Sequence, residues 1–396
     1  SDMKYKLSEI FEKPISGEWG NELEEGKYGA KVIRTTNFTN MGRLNLNDIV
    51  ERDIDVEKYE NKLLKLGDII IEKSGGSPNQ PVGRVVIFEE NTSEKYFCNN
   101  FTSILRPKNI INAKYSLYLL KDLYNKKRVL KYQNKTTGII NLKLNDYLNN
   151  TEIMIPSIEE QIKISTILDR SQELIDKRKE QIKYLDELVK SQFIEMFGEN
   201  NDYVDVSYYI NSLLAGKSLA GEEECKNKVL KTGSVSYDYF DKSQVKDLPL
   251  DYTPNEQHLA VVGDLLISRM NTAELVGATA YIWAVDNNTY IPDRLWKAII
   301  KEGVNSIFLW QLLIQQKAKE QIRRAAAGTS GSMKNISKQS FLGIKVIKVE
   351  VERQNQFGDF VKQVHKLKLE MENSLKELED NFNSLMQRAF KGELFN

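Results

Sequence analysis

The sequence predicts an α+β protein made twice over. Two similar mixed α/β units are separated by two long helices, which pair as an antiparallel coiled coil, and the halves are related by a pseudo-twofold internal repeat. Two observations carry this expectation. A heptad stripe runs without Gly or Pro from Ser157 to Phe197, far longer than an average helix of ~11–12 residues. A set of strand and turn motifs also recurs in the same order in both halves. On this plan the units occupy 3–155 and 199–350, and the helices 156–198 and 351–396.

Taken in order, residues 29–36, 66–73, 82–88 and 101–106 place β-branched and aromatic residues between turn signals and predict strands, while 113–131 predicts a helix. The second unit follows suit with strands near 228–236, 262–269, 276–284 and 295–300, then a helix near 305–325. Leu66-Gly67-Asp68-Ile69-Ile70-Ile71 reappears as Val262-Gly263-Asp264-Leu265-Leu266-Ile267, each an apolar strand entered through a Gly-Asp turn. Val32-Ile33-Arg34-Thr35 is echoed by Val229-Leu230-Lys231-Thr232, and Gly138-Ile139-Ile140-Asn141-Leu142 by Ser332-Met333-Lys334-Asn335-Ile336.

The first long helix opens with Ser157 and Glu160, the spacing of a capping box in which hydroxyl and carboxylate each satisfy a free backbone N–H. Leu168, Ile175, Ile182, Val189 and Met196 then recur seven apart, with Leu185 in an intermediate slot, and Gly198 supplies the stop. About 40 residues make a rod of roughly 60 Å, and a stripe of that length wants a partner helix along it. Val364, Met371, Leu378 and Leu385, with Leu375 and Phe382 alongside, provide one from the same chain. An antiparallel return lets the two stripes bury each other.

The 396 residues exceed one typical core, and 41% hydrophobic with 28% charged residues is a soluble globular composition. A net charge of zero argues against a generally sticky polycation and leaves local basic patches open. Cys98 and Cys225 are too few for a metal cluster and suit a reducing compartment. No stretch approaches ~18 uninterrupted apolar residues and no signal peptide precedes Met3, which predicts a soluble cytoplasmic protein with no membrane partner.

The search for catalytic chemistry is negative. His258 and His365 sit in no metal or nucleophile spacing. Gly328-Thr329-Ser330-Gly331-Ser332-Met333-Lys334 lacks the spacing of a phosphate loop, and neither a dinucleotide fingerprint nor the Asn-Pro-Pro-aromatic box of an amino-methyltransferase occurs. Asp68 and Glu72 resemble a nuclease acid pair only superficially, since they flank an apolar strand and no Glu-x-Lys follows. The expectation is no catalytic residue, no metal and no cofactor in this chain.

Charge distribution points elsewhere. From Lys114 to Lys143 there are eight basic residues and one acid, including Lys126-Lys127-Arg128 and Lys131. From Lys317 to Lys338 there are six and one, including Arg323-Arg324. Basic segments at equivalent places suggest two phosphate-contacting faces; the bland alternative is a pair of solvated helix faces. Adjacent loops add side chains suited to base edges: Asn79, Gln80, Gln133 and Thr136 in the first unit, Arg269, Asn271, Arg294 and Thr329 in the second. Arg34, Lys73, Lys135, Lys231, Ser330 and Lys334 complete the candidate set.

These features resemble the specificity subunits of type I restriction–modification enzymes. The carriers are the twice-repeated unit-then-helix plan, the Gly-Asp motifs at Gly67-Asp68 and Gly263-Asp264, and Ile155-Pro156-Ser157-Ile158-Glu159-Glu160-Gln161. That run is similar to the family's proline, hydrophobic residue, Glu-Gln signature. Its second copy, Val349-Glu350-Val351-Glu352-Arg353-Gln354, keeps only Gln354, leaving the start of the second helix less well defined. The resemblance implies a non-catalytic subunit. Each unit would be a target-recognition domain reading one half of a bipartite double-stranded DNA target. The coiled coil would set the spacer and bind two methyltransferase subunits, which use S-adenosylmethionine to methylate adenine; restriction subunits can join them. The competing expectation is a coiled-coil adaptor that recognises protein rather than DNA.

Overall fold

The computed structural model describes residues 3–136, 138–328 and 333–395, apart from the side chains at 135 and 136. Thr329 and Ser330 lie outside the described residues, as do the side chains of Lys135 and Thr136. The chain divides into two compact units, Ser1–Glu180 with Glu372–Asn396, and Gln181–Met371. Each unit thus takes one half of each long helix, where the sequence plan had set the helices apart as separate segments.

In the first unit a four-stranded antiparallel sheet runs Ile15–Ser16, Thr102–Leu105, Ile69–Glu72, Val85–Ile87. Its central strand carries no polar alternation because both faces are covered. Ile69 and Ile71 enter one apolar cluster with Leu117 and Leu120 of the helix Ala113–Asn125, while Ile70 enters another with Phe38, Val86 and Ile104. That is the period-two division of a strand with two buried faces. The second unit repeats the order as Ile210–Ala215, Leu295–Ile300, Leu265–Ser268, Thr279–Tyr281. There Leu265 and Ile267 join one cluster and Leu266 the other.

A three-stranded sheet flanks each. Ala30–Ile33 pairs antiparallel with Val50–Arg52 and parallel with Tyr96–Cys98; Lys228–Leu230 pairs antiparallel with Val245–Asp247 and parallel with Thr289–Tyr290. The Gly-Asp turns are built alike. Gly67 (φ 88°) and Gly263 (φ 96°) take the left-handed conformation that glycine adopts without steric cost. Asp68 and Asp264 then accept from the N–H of Lys65 (2.7 Å) and Val261 (2.9 Å). Arg106 donates to both oxygens of the buried Asp68 at 2.8 Å, and Lys297 lies 3.1 Å from Asp264. Glu72 pairs with Arg84 at 3.1 Å. The acids that resembled a nuclease pair therefore hold strands together.

Two short ladders unforeseen in the sequence feed the long helices: Met3–Lys6 with Glu152–Ile155, and Tyr203–Asp205 with Lys345–Ile347. The helices run Ile158–Phe197 and Val351–Phe390, 40 residues each. The capping box forms at Ser157, whose N–H donates to Glu160 Oε2 (3.3 Å) while the Glu160 N–H donates to Ser157 Oγ (3.4 Å). In the first unit Ile164 and Leu168 share a cluster with Phe382, Leu385, Met386 and Ala389. In the second, Leu185, Val189, Phe193 and Phe197 share one with Phe357, Val361, Val364 and Met371, and Met196 packs against it. Within each unit the two helix segments run antiparallel. Ile175 is buried, and Ile182, Leu375 and Leu378 are half-buried.

Gln161 and Gln354 explain the Glu-Gln signature. Gln161 is buried, accepts from the N–H of Asn112 at 2.8 Å and donates to Pro156 O and Ile110 O. Gln354 accepts from the N–H of Asn305 at 3.1 Å and donates to Val349 O. Asn112 and Asn305 are themselves N-caps, of Ala113–Asn125 and Ser306–Leu313. One amide at the start of each long helix therefore anchors its unit's own helix. The second copy, lacking proline and capping box, keeps this bond.

Two helix limits differ from expectation. The helix predicted over 113–131 ends at Asn125, because Lys127 turns left-handed (φ 59°). Its N–H donates to Tyr124 O and that of Arg128 to Leu123 O, a Schellman closure with lysine where glycine is usual. The helix near 305–325 is two, Ser306–Leu313 and Gln316–Ala325, broken where Gln315 turns extended (ψ 147°) to cap the second. Among the described residues no helix is long and apolar enough to cross a membrane.

Candidate nucleic-acid interface

In the first unit the polar loop and the basic segment meet. A cleft of about 270 Å³ is lined by Thr39, Asn40, Asn79, Gln80, Lys121 and Asn125, with Arg84 and Tyr124 on its wall. Gln80 Nε2 donates to Asn40 Oδ1 at 3.2 Å, and the Tyr124 hydroxyl donates to Pro81 O at 2.7 Å, fixing the loop to the helix. The predicted readers Asn79 and Gln80 are in this cleft. Gln133 reaches the neighbouring Val82 O at 3.5 Å, from a hairpin (Gln133–Thr136 with Ile139–Leu142) that pairs with Ser74–Gly75. The residues sequence reasoning passed over are Asn40, Arg84, Lys121 and Asn125. Lys121 and Asn125, one helical turn apart within the basic segment, could have been found by their shared helix face.

The basic turn past Asn125 divides by partnership. Lys126 pairs with Asp122 at 2.6 Å, whereas Lys127 and Arg128 are exposed and without an ion-pair partner among the described residues. Lys131 lies over the Tyr132 ring at 5.1 Å. Arg34 is held by Asp48 at 3.3 Å, and Lys73 is half-buried, its ammonium lowered first by desolvation.

In the second unit Met270–Asn271 pairs antiparallel with Lys334–Asn335, which sets Asn271 opposite Lys334, and Asn335 also bridges Ala327. Arg269 donates to Asp293 Oδ2 at 2.7 Å and to Asn335 Oδ1 at 3.3 Å, and Arg323 to Glu274 O at 3.0 Å. Arg269, Asn271, Arg323 and Lys334 thus gather around one loop. Arg294, Arg324 and Lys231 are exposed. No group of three His, Cys, Asp or Glu able to hold a metal occurs among the described residues. His365 stacks on Trp283 with centroids 3.8 Å apart, a packing role; burial first, then Lys368, lowers its pKa.

Residues 2–184 match the family model described as the type I restriction modification DNA specificity domain. That match spans somewhat less than half of the chain and lies within its first half. A likeness in fold to solved chains extends further, along nearly the whole chain. The S subunit of a type I restriction-modification system from M. genitalium is similar at 17% identity and TM-score 0.58, over 98% of this chain and 96% of that one. A chain solved in work on complex assembly and conformational transition of the type I R-M system is similar at 15% identity and TM-score 0.58, over 99% and 98%. At such identities the likeness is one of fold. No curated protein matches the sequence.

Proposed function

We propose that this chain is a type I specificity subunit in which each unit reads one half of a bipartite double-stranded DNA target. The two long helices set the spacer and present a flank to two methyltransferase subunits, and restriction subunits are further partners. S-adenosylmethionine is bound by the methyltransferases, which methylate adenine; this chain contributes no catalytic residue. The supporting observation is that polar side chains and cations gather at the same position of each repeated fold. They lie beside the strand pair Ser74–Gly75 and Ile139–Leu142 in one unit, and beside Met270–Asn271 and Lys334–Asn335 in the other. The loops differ in sequence, so the half-sites differ and the target is asymmetric. Two readers on one chain can address sites about one helical turn of DNA or more apart. Free cations such as Lys127, Arg128, Lys231 and Arg294 supply the sequence-independent attraction; amides and Arg269 supply the reading.

The test is co-expression with a cognate methyltransferase and mapping of methylated adenines. A two-part motif with fixed spacer is expected, and one heptad added to both helices should lengthen the spacer while leaving the half-sites unchanged. Methylation that ignores this chain, or an unaltered spacer, refutes the corresponding part. Lys127→Glu with Arg128→Glu should weaken DNA binding equally across sequences and reduce the salt slope by about 0.9 per lost phosphate contact. Unchanged DNA binding in that variant would favour the protein-adaptor reading.

A further inference from the structure

The cleft of the first unit carries a cation with no ion-pair partner among the described residues, where the second unit has Ile314 at the equivalent helix position. Lys121 projects from the helix Ala113–Asn125 into the cleft, and among the described residues no carboxylate lies within ion-pair distance of it. The bend beside it is at Gly42 (φ 80°), where an added Cβ would stand 3.0 Å from Lys121 Cδ and 3.1 Å from Leu117 Cδ1. In the second unit the bend after the matching 3₁₀ turn is at Asp238 (φ 61°). Asp238 forms an ion pair with Lys319, and its carbonyl accepts from Trp310 Nε1 at 3.0 Å. Leu117 and Trp310 each lie five positions after the N-caps Asn112 and Asn305, so the two bends pack on the same turn of equivalent helices. By the same register Lys121 falls at Ile314, and the lysine that holds Asp238 comes from the following helix, Gln316–Ala325.

The rest of the cleft favours an anion with several acceptor oxygens. No carboxylate lines it. Asn40 keeps its amide N–H groups after accepting from Gln80, and Asn79 and Asn125 add further donors, whereas the Thr39 hydroxyl donates to Arg43 O. Arg84, although paired with Glu72, has a buried Nε without a hydrogen-bond partner. Arg43 adds positive potential at Lys121, opposed by Asp176. A tetrahedral phosphate matches this surplus of donors around a point charge.

We propose that the Lys121 cleft is a phosphate-binding subsite present in the first unit alone, occupied by a backbone phosphodiester of bound DNA. The phosphate chemistry stands on the cleft; DNA as its source rests on the specificity reading above. Burial of the ammonium, which lowers it to about 8, makes Lys121 unusually reactive toward amine reagents near neutrality and so provides the readout.

The experiment is acetylation of the full chain, followed at Lys121 by peptide mass spectrometry, with inorganic phosphate or a mixed-sequence duplex as protectant. Both are expected to slow labelling of Lys121 several-fold and to leave Lys319 unchanged. Gly42→Asp, which transplants the aspartate of the second unit, should abolish that protection. Lys121→Gln, which adds no bulk, should lower the salt slope of duplex binding by about 0.9 without changing sequence preference. Absence of protection by either probe, or full protection in Gly42→Asp, overturns the subsite. Protection by phosphate but not by duplex upholds the subsite and overturns DNA as its source. Failure of the chain to bind DNA even with its methyltransferase would sink the proposed function and leave the phosphate result standing.

Discussion

The two units share a framework and part company at charges. Asp68 is fully buried and gripped by both arms of Arg106, whereas Asp264 retains about 18% side-chain exposure and meets the single ammonium of Lys297. The helix Ala113–Asn125 closes on a left-handed lysine, whereas Gln316–Ala325 ends without a left-handed residue. Lys121 has no ion-pair partner among the described residues, whereas the equivalent helix position of the second unit is the uncharged Ile314. The strands and anchors that build the core are conserved between halves of this one chain, because a change there leaves a buried group unpaired. Differences collect where solvent or a ligand can answer for a charge.

This contrast can be broken at several points. The largest effect is expected at the Gly-Asp turns. Asp68→Ala leaves the Arg106 guanidinium buried without its carboxylate and should cost about 3–5 kcal/mol. Asp264→Ala, which removes a partly exposed carboxylate and leaves Lys297 still bonded to Leu259 O, should cost about 1–2 kcal/mol. Denaturant unfolding followed by hydrogen exchange in each unit measures both, and equal losses would show that exposure does not govern the difference. Next come the amide anchors. Gln161→Ala removes bonds to Asn112 N–H, Pro156 O and Ile110 O, and Gln354→Ala removes those to Asn305 N–H and Val349 O. About 2–3 kcal/mol is expected for each, the first slightly larger, with loss of exchange protection starting at Ala113–Asn125 or Ser306–Leu313 respectively.

Lys121 gives a smaller effect of opposite sign. Desolvation, then Arg43, depresses its ammonium from 10.5 to about 8, against Asp176. The unfolded chain therefore binds more protons between about pH 8 and 10.5, and this group's contribution to stability rises with pH across that window. Below it the full penalty is present. Lys121→Met should raise the melting temperature at pH 7, by about 1–2 kcal/mol after allowance for partial solvation. The gain over the unaltered chain should vanish toward pH 10.5; a gain independent of pH would trace it to packing. The smallest expectation is Lys127→Gly, which relieves a left-handed lysine at φ 59° and should add about 0.5–1 kcal/mol, visible as a rise in melting temperature.

Much of this was legible beforehand. The heptads at Leu168, Val189, Val364 and Leu385, the capping box at Ser157 and the recurring Gly-Asp turns announce helices and strands through local periodicity, which needs no partner to be seen. The candidate site was legible only in part. Asn79 and Gln80 stand out as a polar loop, but Lys121 is one lysine among many until the fold brings it to that loop. The ladder Met3–Lys6 with Glu152–Ile155 was missed because its exposed, charged strand carries little apolar signal.

By itself, then, the sequence determined the repeat, the two long helices, the twofold use of a Gly-Asp strand and the absence of a metal or nucleophile motif, all properties of residues near one another in the chain. Only the tertiary structure decided where the helix 113–125 stops, that Gln161 and Gln354 are anchors, and which lysine is left with no counterion. Each depends on groups far apart in sequence: the Gln–Asn anchors span 49 residues and the Asp238–Lys319 pair 81. The physical reason is that a charge or an amide is defined by what neutralises it, and those partners meet only in the folded chain.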